Sequence, residues 1–259
     1  MSEIYQQREE SSQGESPLGG PTDRRTFLRW SGVSAAALVV VGCEQRTRTI
    51  VEVQPPDTIE VTPPAPTFPA VTLDFSNDFG VLNYAFALEQ LEAAFYTRAT
   101  ADAAFNATFP DAGERQVMID LRDHEVVHRD FLAAAIPALG GTAIPGLTPN
   151  FDSINFADRT SVLTAAQTFE DLGVGAYNGA GQFLQNPTLL GIAGKIVSVE
   201  ARHASAIRDL LRPRSRDFAP RAFDDALPPQ QVLSSAAPFI RNQVTLTNVP
   251  AFTASRVPA

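Results

Sequence analysis

Two short words, Glu125-Val126-Val127-His128 and Glu200-Ala201-Arg202-His203, use two of the three histidines in this chain. On a helix, a glutamate and a histidine three residues apart share a face, so each word can aim a carboxylate oxygen and an imidazole nitrogen at one point. That is how one helix offers two ligands to a metal ion. Two lone glutamates stand upstream, Glu89 and Glu170, and each is followed seven residues later by a tyrosine, Tyr96 and Tyr177. Seven residues is close to two helical turns, so each glutamate and its tyrosine lie on one face. The order Glu89, Glu125-x-x-His128, Glu170, Glu200-x-x-His203 is one half repeated once, as duplication of a two-helix hairpin would produce.

Two divalent ions a few ångströms apart carry four positive charges. Four carboxylates neutralise them, and two imidazoles can hold the outer sides. Oxygen-dominated coordination with some nitrogen favours two Fe or Mn ions over a thiolate-loving metal. Glutamate usage points the same way: from Ser76 onward there are six Glu against 13 Asp, and four of the six are Glu89, Glu125, Glu170 and Glu200. Glu92, one turn beyond Glu89, has Gly173 in its place in the second half. It is an auxiliary ligand, the first-helix ligand instead of Glu89, or a solvated helix residue. Tyr96 and Tyr177 are hydrogen-bond donors to ligand carboxylates, redox-active neighbours, or packing tyrosines with a polar tip. His124 points about 100° away from Glu125 around its helix and is expected at the surface, outside the site. Asp120, Asp123 and Asp171 also fall on other faces, from which an acid could orient an imidazole.

Four helices must position these groups. Apolar residues at Phe79, Leu82, Phe86, Leu91 and Phe95 predict a helix from Ser76 to about Ala99, capped by Ser76 or Asn77. After Pro110 and Gly113, a second runs from about Glu114 to Leu139 and ends at Gly140-Gly141. A connection of about 20 residues with Pro145, Gly146 and Pro149 precedes a third helix starting near Asp158. The fourth follows Asn186-Pro187 and runs to about Leu211. Short link, long link, short link is the order expected if the second and third helices run parallel and the long segment crosses the bundle. Gly173, Gly175, Gly179 and Gly181 strain the third helix, since each costs about 1 kcal/mol against Ala. They imply either a close helix approach or a locally irregular helix.

The six ligand-type residues, with the words Leu82-Asn83-Tyr84-Ala85 and Leu88 to Tyr96, resemble the ferritin-like di-iron carboxylate proteins. In particular they are similar to exported ferritin-like domain proteins of bacteria. The resemblance covers roughly residues 75 to 212. It implies an all-α, ferritin-like four-helix bundle with a long crossover between helices two and three. It also implies a dinuclear centre on Glu89, Glu125, His128, Glu170, Glu200 and His203. In peroxide-reducing relatives an extra carboxylate joins the site, which is the role it implies for Glu92.

The ends read differently. Residues 1–20 are polar and without apolar period, as in disordered chain. Asp23-Arg24-Arg25-Thr26-Phe27-Leu28-Arg29 is a twin-arginine word, and the apolar run from Trp30 to Gly42 is 13 residues long. That is short of the roughly 20 residues of a permanent membrane helix, so residues 1–42 read as an export signal. The run ends at Cys43, the only cysteine, in a lipoprotein-type processing site. Lipidation there leaves no thiol for a disulfide or a metal. The Pro-rich stretch 43–74 reads as a tether, and the Pro-rich stretch 213–259 as loops and one short helix wrapping the bundle. A formal net charge of −9 argues against nucleic acid as a partner.

The expected protein is therefore extracytoplasmic, exported by the twin-arginine route and lipid-anchored to a membrane. Its expected partners are metal ions and oxygen or peroxide, with a second copy of the chain left open. The alternatives are a non-catalytic iron-binding or stress-related bundle and a metal-free structural module.

Overall fold

An asparagine or aspartate precedes each of four long helices, and each side chain accepts a hydrogen bond from a first-turn N–H that has no partner within the helix. Asn77 accepts from Phe79, Asp111 from Glu114, Asp158 from Ser161 and Asn186 from Thr188, at 2.7–2.9 Å. The computed structural model describes residues 67–253. In chain order these form strand β1 (Val71–Asp74), helix α1 (Asp78–Ala101), the single turn α2 (Phe105–Thr108), α3 (Ala112–Ala138), α4 (Arg159–Ala180), α5 (Pro187–Leu211), α6 (Pro229–Ala236) and strand β2 (Val244–Thr247). Helices α1, α3, α4 and α5 make an all-α bundle in which α1 packs along α3, α4 along α5, and α1 against α4.

Polar contacts at the helix starts fix the topology. Arg159, at the start of α4, donates two hydrogen bonds to Glu114 at the start of α3 and one to the Leu210 carbonyl at the end of α5. Asp78, at the start of α1, accepts from the backbone N–H groups of Gln185 and Asn186 just before α5. Neighbouring starts make α3 parallel to α4 and α1 parallel to α5, so residues 139–158 must cross the bundle. That crossover is pinned by α1. Asn83 bonds the Thr142 carbonyl and the Ile144 N–H, and Gln90 accepts from the Leu147 N–H. Phe151 and Phe156 from the same segment pack on Phe95, and Phe151 also packs on Phe169.

Two segments depart from the expected boundaries. Residues 71–74, assigned above to the tether, form β1, which pairs in parallel with β2 in the register Val71↔Val244 to Asp74↔Thr247. The C-terminal extension accordingly holds a strand and two 3₁₀ turns besides its helix α6. The export signal, Cys43 and most of the tether lie outside the described residues. Among the described residues no helix is long and apolar enough to cross a membrane.

Of the four glycines expected in the third helix, Gly181 instead opens a 3₁₀ turn after it, while Gly175 and Gly179 are accounted for by a close approach. The helix is continuous, and it is the C-terminal extension, rather than another helix, that lies against it at Gly175 and Gly179. The Leu227 N–H bonds the Gly175 carbonyl at 2.9 Å. A Cβ at Gly175 would stand 2.6 Å from Leu227 Cδ1, and one at Gly179 1.9 Å from the Leu227 carbonyl oxygen. Helix propensity alone says that Gly→Ala in a helix stabilises by about 1 kcal/mol. Gly179→Ala should do the reverse, losing about 1–3 kcal/mol to overpacking. Gly191→Ala in α5, where a Cβ meets nothing within 4 Å, should show the ordinary gain. Urea unfolding of the two variants beside the parent chain checks the opposite signs.

Candidate metal centre

Near the middle of the bundle each long helix turns a glutamate inward: Glu89 from α1, Glu125 from α3, Glu170 from α4 and Glu200 from α5, all 0% exposed. His128 and His203 follow their glutamates by three residues and meet the same cluster. His128 Nδ1 lies 2.9 Å from Glu200 Oε1, 3.4 Å from Glu125 Oε2 and 3.5 Å from Glu89 Oε2. His203 Nδ1 lies 2.7 Å from Glu125 Oε1, 3.4 Å from Glu170 Oε2 and 3.7 Å from Glu200 Oε2. The two environments are near mirror copies. Each imidazole faces one lone glutamate and the same two shared ones.

Ligand-type atoms thus converge in two overlapping sets, Glu89, Glu125, His128, Glu200 and Glu125, Glu170, Glu200, His203, each within 4.8 Å. Whether the cluster fits metal ions is answered by its spare atoms. Glu89 Oε2, Glu125 Oε1, Glu170 Oε2, both Glu200 oxygens and His203 Nδ1 are buried without a hydrogen-bond partner. His203 Nδ1 and Glu125 Oε1 are close in distance, but they lack the alignment of a donor and an acceptor. Buried oxygens normally find partners. A group of lone pairs facing a common space, with carboxylates outnumbering imidazoles, is what divalent cations require.

The tyrosines cross between the halves. Tyr96 of α1 donates to Glu170 Oε1 of α4, and Tyr177 of α4 donates to Glu89 Oε1 of α1, both at 2.5 Å. Each lone glutamate therefore keeps one oxygen for its tyrosine and turns the other into the cluster. Burial, then the charge of the glutamate it bonds, pushes each phenol well above its ordinary pKa, which keeps both as donors.

Glu92 is buried, at 3% exposure, so the solvated-helix alternative fails. It belongs to neither ligand set. A Cβ at Gly173 would lie 3.0 Å from Glu92 Oε1 and 3.6 Å from Glu200 Oε2. The side chain missing at position 173 thus leaves the space beside which the Glu92 carboxylate sits. Burial, followed by the charges of Glu200, Glu125, Glu89 and Glu170, raises its pKa well above its ordinary value, which favours the protonated form.

His124 requires a correction. It is exposed, as expected, but it is not outside the site: its Nδ1 lies 3.0 Å from His203 Nε2 and the two rings stack at 5.2 Å. The helical wheel places it 100° from Glu125, and that direction leads to α5. The expected acids have other partners. Asp120 accepts from Gln116, Asp123 pairs with Arg122 and Asp171 with Arg208.

Residues 77–213 match the family model described as ferritin-like domain. The chain belongs to that family. A comparison with curated proteins finds no match. Membership in the ferritin-like family accounts for the bundle and for the inward placement of its glutamates. The C-terminal extension and β1 lie beyond the matched residues.

In this ferritin-like cluster the protons stand in for cations. Burial raises Glu170 to about 8, with the nearby His203 imidazole acting against it, and burial with the Glu200 charge lifts Glu89 well above its usual range. Burial would depress the imidazoles, but the close carboxylates of Glu125 and neighbouring glutamates hold His128 and His203 at about 12. Burial likewise works against Glu125, which the two histidines nevertheless keep down at about 2. The signs can be combined. Glu170 binds its proton more tightly folded than unfolded, so its contribution is complete below pH 4.5 and is lost as pH approaches 8. The histidine contributions are complete below pH 6.5 and decline above it. Glu125 acts oppositely, losing its contribution as pH falls from 4.5 towards 2. The metal-free protein should therefore melt at a lower temperature at pH 8 than at pH 5. Mn(II), competing with the same protons, should reverse the trend. Calorimetric melts at the two pH values, with and without Mn(II), check both signs.

Proposed function

We propose that this is an exported, membrane-anchored ferritin-like protein with a dinuclear Fe or Mn centre that reacts with oxygen or peroxide. The observation that carries the reading is the overlap of the two ligand sets at Glu125 and Glu200. Two shared carboxylates between two imidazoles suit a pair of ions better than one. Glu89 and His128 would complete one position, Glu170 and His203 the other. Fe or Mn held there would supply the capacity to gain and lose electrons at the oxidant.

The chain's own residues have defined parts in this reading. Tyr96 and Tyr177 fix the orientation of Glu170 and Glu89 through one oxygen each, leaving the other to turn inward. His128 and His203 would release protons as they bind. Glu92 supplies a further buried carboxyl on the α1 side of the centre, outside both ligand sets. Export and anchoring rest on Arg24-Arg25, the apolar run to Gly42, and Cys43 as the acylated residue.

The test is metal stoichiometry on the full chain, loaded anaerobically with Fe(II) or Mn(II) and measured by mass spectrometry. The parent should hold about two ions per chain. Glu89→Ala or Glu170→Ala should retain about one, and Glu125→Ala with Glu200→Ala close to none. Equal metal content across the series would end the reading. Peroxide- or oxygen-dependent Fe(II) oxidation, followed by absorbance, should be lost in the double variant. For the anchor, Cys43→Ser should move the protein from the membrane fraction to the soluble fraction of fractionated cells.

A further inference from the structure

The words Glu125-x-x-His128 and Glu200-x-x-His203 are alike at the glutamate cluster but differ on the side of the imidazole that faces away from it. Both histidines turn Nδ1 inward, His128 to 2.9–3.5 Å from three carboxylate oxygens and His203 to 2.7–3.7 Å from three. Nε2 is then the outer nitrogen. In His203 it lies 3.0 Å from Nδ1 of His124. Among the described residues His128 has no such partner, since its one hydrogen bond and its close carboxylates are all at Nδ1.

The contact between His124 and His203 has the alignment of a hydrogen bond, and the two rings are 9° from parallel. An imidazole that gives one nitrogen to a metal ion keeps its hydrogen on the other, and the hydrogen bond made there settles which nitrogen is which. Nδ1 of His203 is buried among carboxylates without a hydrogen-bond partner, so it is the nitrogen available to an ion. Nε2 then keeps the hydrogen and donates it to His124 Nδ1. His203 is only 3% exposed, which leaves little water to replace that acceptor. His124 is exposed and belongs to neither ligand set. Its effect on the cluster must pass through His203.

We propose that His124 is a positioning residue for one metal position only: by accepting the Nε2–H of His203 it holds that ring with Nδ1 inward and strengthens the Glu170–His203 position, leaving the Glu89–His128 position unsupported. The inference rests on the dinuclear reading above. An acceptor at the outer nitrogen fixes the ring's orientation and makes the inner nitrogen a stronger donor to a cation. Such partners are worth about ten- to a hundredfold in metal affinity. The two halves of the bundle supply matching ligands, yet they do not support them equally.

The experiment is anaerobic titration of the metal-free full chain with Mn(II), the free ion being read by electron paramagnetic resonance. Glu89→Ala leaves the Glu170–His203 position and Glu170→Ala leaves the Glu89–His128 position, so the two are measured separately. His124→Phe keeps a ring beside His203 and removes the acceptor. Added to the Glu89→Ala chain, it should weaken Mn(II) binding about ten- to a hundredfold; added to the Glu170→Ala chain, it should change binding less than about twofold. His124→Asn, which offers an amide oxygen close to where Nδ1 stood, should restore most of the loss. Cooperative melting of each metal-free variant shows that it is folded. Weakening that does not single out the Glu170–His203 position, or His124→Asn binding no better than His124→Phe, overturns the inference and leaves the dinuclear reading standing. A parent chain that binds no Mn(II) ends that reading and the inference with it.

Discussion

The structure is organised around the burial of carboxylates. Five glutamates, Glu89, Glu92, Glu125, Glu170 and Glu200, are almost wholly removed from water in the middle of a four-helix bundle. An isolated ionised carboxylate in such a place is strongly unfavourable. Protons, imidazoles, phenols or cations must therefore meet every one of them. The nitrogens of His128 and His203 take the central pair, Tyr96 and Tyr177 take one oxygen of each outer glutamate, and burial favours the protonated forms of Glu89, Glu92 and Glu170. The remaining lone pairs point at shared space. A scaffold that merely needed to be stable would hold leucines there. Replacing buried ion pairs by hydrophobic packing is often neutral or stabilising.

The centre is close to twofold but not symmetric. The crossed tyrosines and the matched imidazoles repeat from one half to the other. Position 92 and position 173 do not, one being a glutamate and the other a glycine that makes room beside it. His124 adds a second difference, since it reaches the outer nitrogen of His203 while no fourth histidine exists to do the same for His128. Two ions in this site would experience different surroundings. Position 92 adds a carboxyl that the second half does not repeat, and the second-set side has an added imidazole.

Much of the bundle was legible in the residues because the signals were local. Asn77, Asp158 and Asn186 mark helix starts by their own chemistry, and a three-residue spacing fixes a shared helix face whatever surrounds it. What escaped depended on partners distant in the chain. Gly175 and Gly179 of α4 were ambiguous because the group that needs their space, Leu227, belongs to a segment beyond the bundle. Strand β1 followed a Pro-rich stretch and could be recognised only through β2, 173 residues away in register. His124 was misplaced because a helical wheel says which way a side chain points and nothing about which helix stands there. Burial of Glu92 depended likewise on what faces it across the bundle.

The pairing of Val71–Asp74 with Val244–Thr247 also orders events in time. Both strands flank the bundle in sequence, so their bonds cannot form until nearly the whole chain has been synthesised. The same holds for Leu227 against α4. A nascent chain long enough to contain all four helices still lacks this closure, and β1 waits with an unpaired edge. The glutamate cluster can therefore assemble before the domain is fastened shut, leaving an interval in which the bundle is formed but its last fastening is absent.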